Sequence, residues 1–362
     1  MFLAFGEIMA RLAPPGRLRW RQALPGTIEV TWGGGEANVS ASLALFGNPV
    51  RYVTAMPRQP LAESIAGTLR GLGVDVDHWL WRESGRLGLY FVEVGANQRG
   101  STVVYDRDAS AMSLAEPAEY DWNRLLDGVH WLHVTGITPA ISENACRSNL
   151  ELVQRADAAG IQISCDLNFR KKLWRWRPGT KSQQLARECM TQVLQHVDVV
   201  IANEEDAADV LGIHAAGTNE TQGELNIQGY EQVARDVVRQ FPQVGRVAIT
   251  LRESISADHN NWGGMLYDSL LDQAFFAPRN RAGAYAPYAI TDIVDRVGAG
   301  DSFAAGLLHA LHSETYRDPQ QAIQFAVAAS CLKHSIQGDF NYVSVADVVG
   351  LMAGNASGRV QR

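Results

Sequence analysis

Asp295-Arg296-Val297-Gly298-Ala299-Gly300-Asp301-Ser302-Phe303 is the stretch from which the rest of the chain can be read. Two glycines flank one alanine, so the backbone can fold tightly enough for several N–H groups to point into one small space. Beyond them Phe303, Leu307, Leu308 and Leu311 recur at helical spacing. That predicts a helix whose positive N-terminal end faces the same space. Such a turn suits an anion. Asp301 stands at the junction, where it can take a proton from a hydroxyl. Gly298, Ala299 and Gly300 as an anion hole, with Asp301 as base, point to phosphoryl transfer onto an alcohol. The helix end would lower the carboxylate's pKa and keep the base ionised at all times. A loose transition state, in which the hydroxyl proton leaves late, tolerates so weak a base.

A second glycine cluster, Gly33-Gly34-Gly35-Glu36-Ala37-Asn38, opens a helix predicted over residues 36–46. Val39, Leu43 and Phe46 fall on one face of it, and Gly47 is a good stop. Gly34 and Gly35 permit close approach to a ligand, and Asn38 could hydrogen-bond its hydroxyls. The same residues also suit a plain strand–turn–helix connection. No G-x-x-x-x-G-K-[ST] occurs, which sets aside a P-loop ATPase.

Between these motifs, short apolar runs at residues 129–137, 161–167, 197–202 and 247–251 lack strict alternation, as expected of strands covered on both faces. Helical patterns at 148–159 and 230–241 separate them, and Asp318-Pro319 starts a helix predicted to run to about His334. Strands alternating with helices predict an α/β fold with a mostly parallel sheet. Segments of about 10–31 and 87–106 differ, being made of short mixed strands with few helix formers. Within the second, Gly88-Leu89-Tyr90-Phe91-Val92-Glu93-Val94 and Ser101-Thr102-Val103-Val104-Tyr105 predict a hairpin around residues 95–100. A small sheet projecting from an α/β core is a candidate substrate lid. No linker divides the chain, so residues 1–362 are expected to form one domain; the polar tract 212–229 reads as a surface loop.

The net charge of -7 argues against nucleic acid as a partner, since phosphate backbones call for a basic face. Hydrophobic residues make up 46% of the chain, yet no apolar run is long enough for a membrane span. The first residues, Met1-Phe2-Leu3-Ala4-Phe5-Gly6-Glu7, do not read as a signal peptide. Four scattered cysteines without metal-ligand spacing read as reduced thiols of a cytoplasmic protein.

The two glycine motifs, in this order and at these places in the chain, resemble the signatures of the ribokinase-like, or PfkB, carbohydrate kinases. The resemblance covers essentially the whole sequence. It implies a Rossmann-like α/β core with a β-sheet lid, and ATP- and Mg²⁺-dependent phosphorylation of a sugar hydroxyl with Asp301 as base. Thr135-Gly136-Ile137-Thr138-Pro139-Ala140, Asp166-Leu167-Asn168-Phe169-Arg170, Tyr105-Asp106-Arg107 and Gly338-Asp339-Phe340-Asn341 are similar to the branch that acts on 2-keto-3-deoxygluconate (KDG). KDG carries a carboxylate that neutral sugars lack, and a guanidinium is its best partner. Arg107 and Arg170 are the candidates, with Tyr90 and Tyr105 closing over the sugar acid. The resemblance adds Asp339 on the substrate side, with Asn168, Arg170, Asn203, Arg252, Gly298 and Gly300 toward the nucleotide.

For the metal, relatives carry N-x-x-E; here the run is Asn203-Glu204-Glu205-Asp206, which makes Asp206 an indirect Mg²⁺ contact through water. A helix start favoured by the macrodipole is the alternative reading of that run. A second departure lies at residues 250–267, where many relatives have a G-x-x-G turn and this chain has a polar loop with late glycines. A sibling kinase for fructose or ribose, or a sugar-acid sensor on the same fold, would share most of these features. The exposed edges of a lid sheet also suggest a homodimer.

Overall fold

The buried apolar runs lie side by side. The computed structural model describes residues 1–203, 205–213 and 227–354. In it Val74–Asp75, Val50–Val53, Phe2–Phe5, Trp131–Thr135, Gln162–Asp166, Val199–Ala202 and Arg246–Ser254 are successive parallel neighbours. Asn260–Asp268 and Gln273–Ala277 continue the sheet antiparallel, and Tyr288–Ile290 pairs with the start of the former. Phe2–Phe5, too short to show a period in sequence, is an interior strand with every residue buried. Apolar clusters cover both faces. One holds Leu152, Leu185, Met190 and Val233, and the other Val39, Ile65, Phe303 and Phe325.

Three helices on the second face position the site: α1 (Gly35–Leu45), α2 (Ala299–His312) and α3 (Pro319–Lys333). Gly47, in the left-handed region at φ 84°, ends α1, and the Asp318 carboxylate caps α3 by accepting from the Gln320 and Gln321 amides. The sequence pattern assigned a single apolar face to α1 and to α2. Instead α1 is buried on all sides from Gly35 to Leu43, and α2 nearly so from Ala299 to Leu308. Small residues make this possible. A Cβ on Gly306 would lie 3.0 Å from the Ala326 Cα of α3, and the Ser40 and Ser42 hydroxyls donate back to the Glu36 and Asn38 carbonyls.

The segments of mixed short strands form a separate four-stranded sheet in the order Glu29–Gly33, Met9–Ala13, Leu89–Glu93, Thr102–Asp106. Tyr90 pairs directly with Tyr105, and Arg11 with Tyr90, so all three side chains point to the same side.

Two sequence readings change. Residues 250–267, read as a polar loop, are chiefly an antiparallel hairpin of Arg246–Ser254 and Asn260–Asp268, whose strands are buried on both faces, Leu251 and Met265 packing into one apolar cluster and Trp262 into the other. The turn of this hairpin meets the tip of the small sheet: the Ala257 amide donates to the Asn97 carbonyl (2.6 Å) and the Asn97 amide to Asp258 Oδ2 (2.9 Å). The tract 212–229 and Glu204 lie largely outside the described residues, although a helix, Ile227–Gln240, already begins within that tract.

Candidate active site

The C-terminal ends of the parallel strands, the N-termini of α1 and α2, and the inner face of the small sheet enclose one cavity of about 300 Å³. Gly298, Ala299, Gly300 and Asp301 form one wall of it. Gly298 has φ 85°, and a Cβ there would overlap the Asp339 carbonyl oxygen, so no other residue fits without displacement. The turn is braced from α3, where Ser330 Oγ donates to the Ala299 carbonyl at 2.6 Å.

Asp301 opens into the cavity but is otherwise enclosed by protein. Asn38 Nδ2 donates to its Oδ2 at 2.6 Å, while Asn38 Oδ1 accepts from the Gly34 amide at 3.3 Å. Asn38 therefore holds the proposed base rather than standing free for a ligand. Burial pushes the Asp301 carboxyl up to about 7; the Asn38 hydrogen bond opposes this, Asp339 and Glu36 add to it, and Arg170 counters it. This corrects the expectation of a permanently ionised base. Desolvation outweighs the helix end, and the carboxylate becomes a proton acceptor suited to neutral pH.

Asp339 faces the same space. Its Oδ2 accepts from Tyr90 Oη at 2.6 Å and from Asn38 Nδ2 at 3.5 Å, and its Oδ1 from Arg11 Nη1 at 2.8 Å. Gly33 leaves room for this contact, since a Cβ there would strike both the Asp339 carboxylate and the Tyr90 hydroxyl. Gly34 packs against the Glu7 carbonyl, and a Cβ on Gly35 would sit 3.6 Å from Asp301 Oδ1.

Arg107 and Arg170 both line the cavity, as does Tyr105, whose ring lies 5.8 Å from the Arg107 guanidinium carbon. Arg107 is not a free cation: its Nε donates to Glu7 Oε2 at 2.6 Å, and Nη2 bonds the same oxygen. Its Nη1 and the Glu7 Oε1 are buried with no protein partner, so a donor and an acceptor are left unsatisfied beside the cavity. Arg170 is half-buried and donates to the Phe169 carbonyl at 2.9 Å.

On the remaining side stand Asn168, Asn203, Asp206 and Arg252. Asn168 holds an uncommon φ of 38°, fixed by its amide donating to Asp166 Oδ1 at 3.1 Å. Asp206 does two things at once. Its oxygens accept from the Phe169 and Asn203 amides at 3.0 and 3.1 Å, while Asn203 Oδ1 accepts from the Glu205 and Asp206 amides. The carboxylate is therefore a helix-start cap as well as part of the cavity wall. Burial raises its pKa, and it raises that of Asp166 well above the usual range through burial and proximity to Asp206 and Asp301. Two buried carboxylates that repel each other suit a hydrated divalent cation, and the lone pairs left on Asp206 can accept from its water.

Sequence reasoning thus brought its site residues to one place, but missed others. Glu7, Asp166, Asn260, Trp262, Arg296 and His334 also line the cavity. Asn260 Oδ1 and Trp262 Nε1 are buried without partners, and Trp262 meets His334 edge to face at 5.0 Å. Burial lowers the His334 pKa to about 4, leaving a neutral ring. The unpartnered Asn260 and Trp262 belong to the segment read as a loop, where no strand was expected to aim them.

The chain is 28% identical to a 2-dehydro-3-deoxygalactonokinase of Haloferax volcanii, over 98% of each chain. It is 27% identical to a 2-dehydro-3-deoxygluconokinase of Thermoproteus tenax, over 93% of this chain and 89% of that one. The crystal structure of a 2-dehydro-3-deoxygluconokinase from Thermotoga maritima superposes with a TM-score of 0.87 at 41% identity, covering 98% of this chain and 99% of that one. The pattern common to pfkB family carbohydrate kinases matches residues 2–237 and 272–340, leaving between them the hairpin of Arg246–Ser254 and Asn260–Asp268. The chain belongs to the pfkB family of carbohydrate kinases.

Proposed function

We propose that this kinase transfers the γ-phosphoryl group of ATP to the 6-hydroxyl of KDG, giving 2-keto-3-deoxy-6-phosphogluconate. The observation that carries the reading is the presence of Arg107 and Arg170 in the same cavity as the Asp301 turn. The names of the relatives above agree with it. Arg107 Nη1, unpaired in the protein, and the Arg170 guanidinium bind the sugar carboxylate, while Glu7 Oε1 and Asp339 accept from its hydroxyls. Asp301, held by Asn38, takes the proton of the attacking hydroxyl. The Gly298–Gly300 amides and the α2 N-terminus stabilise charge on the transferred group. Asn168, Asn203 and Arg252 lie on the nucleotide side. Mg²⁺, when bound, neutralises charge on the nucleotide phosphates, and Asp206 orients its water with Asp166 beside it.

The four-stranded sheet acts as the lid, excluding water from the transfer. On its outer face Val30, Leu12, Phe91 and Val104 form one cross-strand row, with Val30 51% and Val104 56% exposed. That row supports pairing of two copies through their lids. Among the described residues no helix is long and apolar enough to cross a membrane. The four free cysteines support a cytoplasmic reading.

The test is a coupled ADP-release assay with Mg·ATP against KDG, its C4 epimer, gluconate, fructose and ribose. Turnover confined to the keto-deoxy acids supports the proposal. Turnover on fructose or ribose would retain Asp301 and overturn the carboxylate reading. Binding of KDG without any turnover would make the protein a sensor.

A further inference from the structure

Arg11 has no part in the reading above, yet it contacts Asp339 directly. It lies on the small-sheet strand Met9–Ala13 and is 3% exposed. Nη1 is 2.8 Å from Asp339 Oδ1, and Nη2 is 2.6 Å from Asp295 Oδ2. Asp295 in turn accepts from the Val297 amide (3.0 Å) with Oδ1 and from the Gly338 amide (3.1 Å) with Oδ2, so it ties together the entry to the catalytic turn and the loop that carries Asp339. From Asp339 the contacts run through Asn38 to Asp301. One guanidinium thus touches the carboxylate that faces the substrate and the carboxylate that anchors the catalytic turn.

We infer that Arg11 is a positioning residue for the reaction, holding Asp339 aimed at the sugar while fixing the small sheet against the Asp295–Gly298 turn. The inference rests on the phosphoryl-transfer reading given above. A cation that bridges two buried carboxylates offsets their repulsion and fixes their geometry; removing it leaves both without that counter-charge. Burial works against the charge on Arg11, but Asp339 and Asp295 more than offset it. Asp339 is faced by Arg11 and Tyr90 from the sheet, Asn38 from α1, Asp301 from α2, Lys333 from α3 and Asp295 from the turn. Lys333, fully buried, donates to the Ile336 carbonyl at 2.9 Å instead of to either carboxylate. Arg11 is therefore the charge that Asp339 depends on.

The experiment compares Arg11→Met and Arg11→Lys with the wild type from pH 6 to 8, by steady-state kinetics and by calorimetric binding of KDG. In Arg11→Met the KM for KDG is expected to rise about tenfold or more while the KM for ATP changes little. Affinity for KDG should also become pH-dependent, because the two carboxylates lose their shared counter-charge. Arg11→Lys, which keeps the charge but not the fork, should show a smaller rise without the new pH dependence. Equal losses on both substrates with a wild-type pH profile would make Arg11 a structural residue and overturn the inference. If Arg11→Met does not fold, a wild-type KM for KDG in Arg11→Lys overturns it as well. Failure of the wild type to phosphorylate KDG would instead sink the functional reading, and the binding data separate the two.

Discussion

The two ends of the cavity are held in place by different means. The catalytic end, Gly298 to Asp301, is a backbone device: a left-handed glycine pressed on the Asp339 carbonyl, with a helix N-terminus behind it. The sugar end is a side-chain device. It depends on Arg107 with Glu7, 100 residues apart, and on Arg11 with Asp339, 328 residues apart. A backbone device demands particular residues at adjacent positions and tolerates little exchange. A side-chain device can be built from any elements that the fold brings together, so its pairs can be replaced one partner at a time.

The comparison predicts a ranking of damage. Asp301→Asn should lower kcat by about 10²–10⁴-fold with little change in KDG binding, as single-turnover and binding measurements would reveal. Near-normal turnover would remove Asp301 as the base. Because burial pushes its carboxyl up to about 7 in the free protein, wild-type kcat/KM should rise from pH 6 to 8 and not stay flat. The sign for stability is opposite. The folded pKa lies above the unfolded value near 3.8, so the native state binds the extra proton and loses stability as pH rises through that window. Asp301→Asn should therefore raise the melting temperature more at pH 8 than at pH 5.

Next comes Gly298→Ala, which combines a strained φ with a clash and should cost about 1–3 kcal/mol in denaturant unfolding together with most of the activity. A stable, active variant would show that the turn can shift. At the sugar end Arg170→Ala should raise the KM for KDG by about tenfold while sparing whatever residual rate is seen on fructose. Equal losses on the two would deny it a carboxylate role. The smallest effect is expected at the surface. Arg17, 45% exposed, pairs with Asp258 at 3.3 Å, and Arg17→Ala should alter stability by less than about 1 kcal/mol.

The same contrast explains what could be read in advance. The Asp295–Phe303 stretch and the Gly33–Asn38 cluster announce themselves because the chemistry needs neighbours in sequence, and every residue proposed from them lines the cavity. The parallel strands from Trp131–Thr135 to Arg246–Ser254 were legible from their unbroken apolar runs, but Phe2–Phe5, Val50–Val53 and Val74–Asp75 were not, being too short to carry a pattern. Arg11 and Glu7 were not legible. Each looks like an ordinary charge near the start of the chain until a strand brings it against a carboxylate or guanidinium far away in sequence. Nor was the base's proton affinity, since a helix end is visible in sequence and enclosure by the folded protein is not. The second strand of the hairpin, Asn260–Asp268, was misread because polar residues cluster at the turn and a strand buried on both faces carries no alternation to reveal it.

That hairpin touches the tip of the small sheet at Asn97, Ala257 and Asp258, turn against turn. If the sheet opens once per catalytic cycle, these contacts break and re-form each time the sugar phosphate leaves. Neither turn carries a residue of the reaction, and exposed turns accept changes of length and composition that strands and helices do not. On that reading the dwell time of product would be adjustable by drift in two short segments, within the limit set by Arg296, which lines the cavity and donates to the Ala257 carbonyl at 2.6 Å.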